Sequence, residues 1–207
     1  MSWSNYFSKR KFQVEFFATI ILLVLVLVAL AKFLIYIENR DGAVLNDPVL
    51  NLFEPIDLTW LTFILIYISL FSAIIFFLKK PILLLTAFQA YILLIILRIS
   101  AMYLMPLNPP SKIIPLTDPF VEYFGTGRLL TKDLFFSGHT AILFLLFLIT
   151  DFKPFRIFLI ISTILVGISV VLQHVHYSID VITAPFFTYC IYILTNKLRH
   201  KFSSFVS

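Results

Sequence analysis

Three of the four histidines and one aspartate fall at what reads as one end of a set of apolar segments: His139, His174 and His176, with Asp180 four residues after the last. A helix running on from residue 177 puts Asp180 about one turn from His176, close enough to accept its ring N–H. That contact fixes the tautomer and leaves the other ring nitrogen free as nucleophile or base, and the carboxylate stabilises the cation formed on attack at phosphorus. His139 then serves as the second histidine and protonates the leaving oxygen. The catalytic set expected from these spacings is His139, His176 and Asp180.

Around His139 the chain reads Asp133-Leu134-Phe135-Phe136-Ser137-Gly138-His139-Thr140. Ser137-Gly138 ahead of a helix start offers a phosphate a hydroxyl donor, open N–H groups, no Cβ and a favourable dipole. Arg98 either snorkels to an interface or grips the phosphate, for which its planar guanidinium is suited. Asp133 is expected to cap a helix beginning near Leu134 or to meet a cationic headgroup. His174 need not share the face of His176, so a binding role stands beside a packing one. Arg98, Asp133, Ser137, Gly138 and His174 form the expected binding set. Tyr103 and Tyr177 read as interfacial belt aromatics, or as rings over a choline cation. His139, His174, His176 and Asp180 are also chemically suitable zinc ligands, or a hydrogen-bonded cluster tying helix ends together. The Ser-Gly pair and the basic residues suit an anion better, and neither metal nor cofactor is expected.

The elements that position these residues are membrane spans. Of 207 residues, 60% are hydrophobic and 13% charged, against roughly 45–50% apolar in a soluble domain. Continuous apolar runs exclude the alternating pattern of a membrane β-barrel. Six spans are predicted, at 14–37, 58–78, 82–105, 134–151, 155–174 and 177–195, each near the roughly 20 residues that a crossing needs. The expected fold is all-α: a single integral-membrane domain over 1–207, a bundle of six transmembrane helices in three hairpins. The first run is too long for a secretory signal core and is expected to stay in the mature protein. Trp3, Tyr6 and Phe7 before it are expected to anchor in the interface. Cys190 has no partner for a disulfide.

Lys9, Arg10 and Lys11, Lys79 and Lys80, Lys153 and Arg156, and Lys197, Arg199 and Lys201 flank the spans on one side. Both termini are therefore expected in the cytoplasm, with Glu38 to Asp57 and Pro106 to Asp133 on the opposite face. The net charge of +5 follows from this topology and from attraction to lipid headgroups, and no nucleic acid is expected as a partner. One length does not close. The turn at Asp151 to Pro154 lies about 20 Å of helix from His139 but about 30 Å from His176, so His139 must sit deeper or the helices must tilt differently.

Phe136-Ser137-Gly138-His139-Thr140 and His174-Val175-His176-Tyr177-Ser178-Ile179-Asp180-Val181, with Arg98, Met102-Tyr103 and Pro106-Leu107 up to Pro109, resemble the type 2 phosphatidic acid phosphatase superfamily, and within it the sphingomyelin synthase-like branch. The resemblance covers roughly Arg98 to Val181. It implies six helices with an active site on the non-cytoplasmic (periplasmic or lumenal) face, a phosphohistidine-type intermediate on His176 oriented by Asp180, and His139 as acid and then base. Val170 stands where the phosphatase branch has an arginine, and no convincing Lys-x6-Arg-Pro is present, which favours the synthase-like branch. Thr131 and Lys132 replace that branch's cysteine and glycine.

The implied activity is transfer of a phospho-headgroup from a glycerophospholipid to a lipid alcohol, with membrane lipids as partners: a phospholipid donor, and ceramide or diacylglycerol as acceptor. Hydrolysis by a lipid phosphatase, acting on phosphatidate or a polyprenyl pyrophosphate, or by a phospholipase C is the alternative; a non-enzymatic lipid transporter or assembly subunit is the second. Histidine chemistry with positive groups needs no Lewis acid. Activity should therefore persist in excess chelator, and a loss restored by zinc would refute the anion-site reading.

Overall fold

The computed structural model describes residues 3–117 and 130–204, with side chains as far as His200. Residues 118–129 of the segment from Pro106 to Asp133, and the side chain of Lys201 in the basic set, lie outside the described residues. The helices are α1 (Trp3–Phe7), α2 (Arg10–Glu38), α3 (Thr59–Leu78), α4 (Pro81–Leu104), α5 (Gly138–Ile149), α6 (Lys153–Leu172) and α7 (Ser178–Ser204), with a 3-10 turn at Leu50–Leu52. Prolines open α4 and α6, where an N–H has no helical partner to lose.

α2, α3, α4, α6 and α7 are each long and apolar enough to cross a membrane, so the chain has the make-up of an integral membrane protein. The expected span at 134–151 differs from the other five. Its helix runs only from Gly138 to Ile149, 12 residues, or roughly 18 Å against the roughly 30 Å of hydrocarbon. The reason lies just ahead of it: Arg98 of α4 claims the Phe136 carbonyl and the Asp133 carboxylate, and Ser137 stops the helix with a cap.

α5 is the core of the bundle, packed between α4, α6 and α7, with Ala141, Leu143, Leu145 and Leu146 buried against Leu159, Val166 and Ala184. Its N-terminal turn lies beside Gly167 of α6: a Cβ there would stand 3.7 Å from Thr140 Oγ1 and 3.0 Å from Val181 Cγ1 of α7. Three helices thus cross closely just short of the C-terminal end of α6. α2 is peripheral and rests on α4 through Val26, Ile92 and Ile95. At the far end of the bundle, Trp3 Nε1 donates to the Leu78 carbonyl at 2.6 Å. Lys80 Nζ there joins both oxygens of Asp151 at 2.5 and 2.6 Å, bringing the α3–α4 and α5–α6 turns together.

The histidine end is roofed by two loops. Ala43 pairs with Leu107 through Ala43 N–H to Pro106 O and Asn108 N–H to Ala43 O, both 2.9 Å. Gln173, buried at the end of α6, pins the loops below: its amide donates to Thr59 Oγ1 at 2.8 Å and Ile114 O at 3.2 Å, and accepts from Leu58 N–H at 3.1 Å. Gly42 makes the roof possible, because a Cβ there would stand 2.5 Å from the Leu107 carbonyl carbon and 2.8 Å from Asn108 N. Neither backbone atom can move without breaking the pairing. Gly42→Ala should cost about 1–3 kcal/mol, the usual range for overpacking, read as a lowered melting temperature in detergent; an unchanged melt would show the roof to be loose.

Candidate active site

His176 lies in no helix. Beyond α6 the chain turns back: His174 N–H bonds Val171 O and Val175 N–H bonds Val170 O, both at 2.9 Å, with His174 at φ 57°. This pattern of helix ending usually takes glycine at the left-handed residue, and a histidine held there stores about 1–3 kcal/mol of strain. The same turn bonds His176 N–H to Val170 O at 3.2 Å. It resolves the length mismatch. His176 is reached only after the chain has doubled back toward the start of the short α5, so its ring meets that of His139 with centroids 6.2 Å apart.

Asp180 occupies the first turn of α7. Its Oδ2 accepts from Tyr177 N–H at 3.2 Å and sits 3.3 Å from His176 Nδ1, with His176 1% and Asp180 0% exposed. A proton on Nδ1 directed at the carboxylate leaves Nε2 with its lone pair for chemistry. The Asp180 carbonyl accepts Ser137 N–H at 3.0 Å, which ties the His139 segment to the His176 segment through one residue. Among the described residues Asp180 Oδ1 is buried without a hydrogen bond, an uncommon state for a carboxylate oxygen.

Ser137 is the N-cap of α5; its Oγ accepts from Thr140 N–H at 3.4 Å and lies 3.2 Å from Thr140 Oγ1. Arg98, buried on α4, donates through Nε to Phe136 O at 3.2 Å and through Nη2 to Asp133 Oδ1 at 2.6 Å. Its guanidinium presses on Gly138, where a Cβ would stand 2.5 Å from Nη1 and 2.6 Å from Cζ. Glycine is therefore needed for Arg98 to reach the helix N-terminus, where helix dipole and guanidinium together favour an anion.

The structure brings His139, His176, Asp180, Ser137, Gly138, Arg98 and Asp133 together; His174 it sends elsewhere. The His174 ring packs at 5.3 Å from that of Phe53 and lines a separate cavity of about 360 Å³ with Asp47, Glu54, Lys112 and Tyr177. Burial pushes its pKa below the usual histidine value, with Glu54 pulling the other way. Asp133 caps nothing, because the helix starts at Gly138 and not near Leu134; its carboxylate neutralises Arg98. Tyr177 is no belt aromatic. It is 1% exposed, donates to Asn108 O at 2.9 Å and accepts from Leu45 N–H at 3.2 Å, an internal post under the roof. Tyr103 is exposed and carries the Arg40 guanidinium 5.0 Å above its ring. No cluster of three or more histidine, cysteine or acidic residues is arranged to hold a metal ion among the described residues.

Two acids escaped sequence reasoning. Asp47 Oδ2 accepts from Ser178 N–H at 2.6 Å, and its Oδ1 accepts from the Ser178 hydroxyl at 3.1 Å and Val49 N–H at 2.9 Å. It caps the helix that carries Asp180. Glu38, at the end of α2, accepts from Thr131 N–H and hydroxyl and from Lys132 N–H at 2.7 to 3.1 Å, holding the strap that leads into Asp133. The only sequence signal for either was its being an acid in a loop or at a helix end of a chain with few acids.

Residues 132–197, about a third of the chain, match the family model described as PAP2 superfamily C-terminal. The match supports the type 2 phosphatidic acid phosphatase superfamily and, with it, an enzyme of phosphatase or phosphotransferase type acting on lipids. It contains His139, His174, His176, Asp180, Asp133, Ser137 and Gly138, whereas Arg98, Asp47 and Glu38 lie before it. No curated protein matches the chain.

Burial raises the Asp47 pKa, but the hydrogen bonds from Ser178, Val49 and Leu50 outweigh it and leave the group below the ordinary aspartate value. A carboxyl depressed in the folded state contributes stability above its unfolded pKa of about 3.9 and loses it as the pH falls through the folded value. Asp47→Ala should thus cost about 0.5–2 kcal/mol at neutral pH, the range for a lost cap. The difference from wild type should shrink below about pH 4 in melts across a pH series; a gap that does not change with pH would contradict the cap.

Proposed function

We propose that the protein transfers a phospho-headgroup from a glycerophospholipid to a lipid alcohol such as ceramide or diacylglycerol. The observation that carries this reading is the pairing of the buried His176–Asp180 couple with His139, 6.2 Å from His176 by ring centroid, at a helix N-terminus backed by Arg98. The gap between the rings is of the order of one phosphoryl group. His176 Nε2 attacks phosphorus, a P–N bond forms, the bond from phosphorus to the glyceride oxygen breaks, and His139 delivers its proton to that oxygen. The acceptor alcohol then gives its proton to His139, its oxygen bonds to phosphorus, the P–N bond breaks and His176 is regenerated. Asp180 stabilises the charge on His176 in both steps. Ser137, Gly138 and Arg98 hold the phosphate oxygens, with Asp133 keeping Arg98 in line.

Two further features support this. An apolar groove of about 500 Å³, lined by Phe144, Ile164, Ile168, Val181 and Ile182, reaches Thr140 and Ser178 beside the site and suits acyl chains arriving sideways from the bilayer. Lys80, with Asp151, and the other basic turns lie at the opposite end of the bundle. With α5 as a short sixth pass, the positive-inside rule puts both termini in the cytoplasm and the histidines on the non-cytoplasmic face. The resemblance of the two histidine motifs to the sphingomyelin synthase-like branch favours transfer over hydrolysis.

The test is mass spectrometry of lipid products from purified wild type and His176→Ala, given headgroup-labelled phosphatidylcholine or phosphatidylethanolamine with and without ceramide. Label should move to the acceptor with wild type only, the variant losing at least about 100-fold in turnover. Release of headgroup phosphate regardless of acceptor would replace transfer with hydrolysis, and equal turnover by the two proteins would remove His176 from the chemistry.

A further inference from the structure

The end of the bundle away from the histidines carries a second groove that this chemistry does not use. α2, α4 and α7 enclose a space of about 700 Å³, within the size range of ligand pockets. Ala18, Leu22, Ile92 and Leu198 form apolar walls, and Arg10, Lys11 and Arg199 stand at the rim. Here α2 and α7 both lean on α4, and a polar bridge links them. Arg199 Nη1 donates to Glu15 Oε1 at 3.1 Å and Gln89 Oε1 at 2.5 Å, and Gln89 Nε2 donates to Glu15 Oε1 at 3.0 Å and Thr19 Oγ1 at 3.3 Å.

Three cations face one carboxylate across this groove, an excess of positive charge over a hydrocarbon slot. The walls belong to membrane-crossing helices, so the occupant comes from the bilayer, and its head must be anionic to meet the rim. Positive-inside bias accounts for basic residues lying at this end of the protein; it does not account for residues of two helices, Arg10 and Arg199, converging on one apolar space. We propose that the groove holds one anionic phospholipid from the leaflet opposite the histidines, its phosphate on Arg10, Lys11 and Arg199 and an acyl chain along Leu22, Ile92 and Leu198. The bound lipid fixes the peripheral α2 to the bundle. This assignment does not depend on the reaction proposed for the histidine site.

The test is native mass spectrometry of the purified full chain titrated with phosphatidylglycerol or phosphatidylcholine of identical acyl chains. Wild type should retain one phosphatidylglycerol under activation that strips phosphatidylcholine. Arg10→Gln/Lys11→Gln, both exposed positions, should weaken that retention about tenfold or more, as expected for removing two headgroup-facing cations. Ala18→Trp, which fills the slot without touching charge, should lower retention of phosphatidylglycerol as well. Equal retention of the two lipids by wild type, an undiminished preference in the double variant, or full retention by Ala18→Trp would each overturn the proposal.

Discussion

The bond between Asp180 and His176 is the contact on which the site depends. A carboxylate with no exposed surface inside a bundle of apolar helices is expensive unless it is paired and hydrogen-bonded. Here it is placed where that cost is smallest, in the first turn of α7, with the Tyr177 N–H and the His176 ring as partners and the helix dipole in its favour. Its own carbonyl holds Ser137, so the residue that orients one histidine also locates the helix that carries the other. Asp47 caps the same helix end from a loop far away in sequence, and the order of the roof becomes part of the order of the site.

A second constraint comes from Arg98. Its guanidinium is inside the bundle and meets Asp133, the Phe136 carbonyl and the bare backbone of Gly138. Those contacts hold residues 133–136 out of a helix, so α5 starts late and is short. Because α5 is short, the start of that helix lies within the bundle. The reversal after α6, with His174 in a left-handed conformation, then brings His176 back to meet it. Helix length, backbone strain and a buried ion pair are thus parts of one arrangement. Glu38 extends it to α2, which would otherwise touch the bundle chiefly along α4.

Polar side chains are concentrated at the two ends, as the hydrocarbon between them requires. At the histidine end four cations are engaged: Arg98 with Asp133, Arg40 with the Tyr103 carbonyl, Lys132 with the Arg40 carbonyl and Lys112 with Glu54. At the other end Lys80 meets Asp151 and Arg199 meets Glu15. One end gathers His139, His176, Asp180 and Arg98, and the other presents cations over an apolar groove.

Much of this was legible in the sequence because it is local. Apolar runs longer than a bilayer crossing mark α2, α3, α4, α6 and α7 without reference to any contact. The four-residue spacing of His176 and Asp180 makes their approach foreseeable, and Ser137-Gly138 announces a helix start fit for an anion. What the sequence could not decide are relations between distant residues. Nothing near Asp133 says that Arg98, 35 residues earlier, will claim it and delay the helix. Tyr177 has the composition of a belt residue and becomes an internal post only because Leu45 and Asn108 converge on its hydroxyl. Asp47 and Ser178 are 131 positions apart, and no periodicity links them. Hydrophobic pattern and spacing act through the backbone of one segment, so sequence determined which segments are the long apolar helices and that His176 and Asp180 lie within reach of each other. Caps, ion pairs and close helix crossings need two segments to arrive at the same place, and only the tertiary structure decided those.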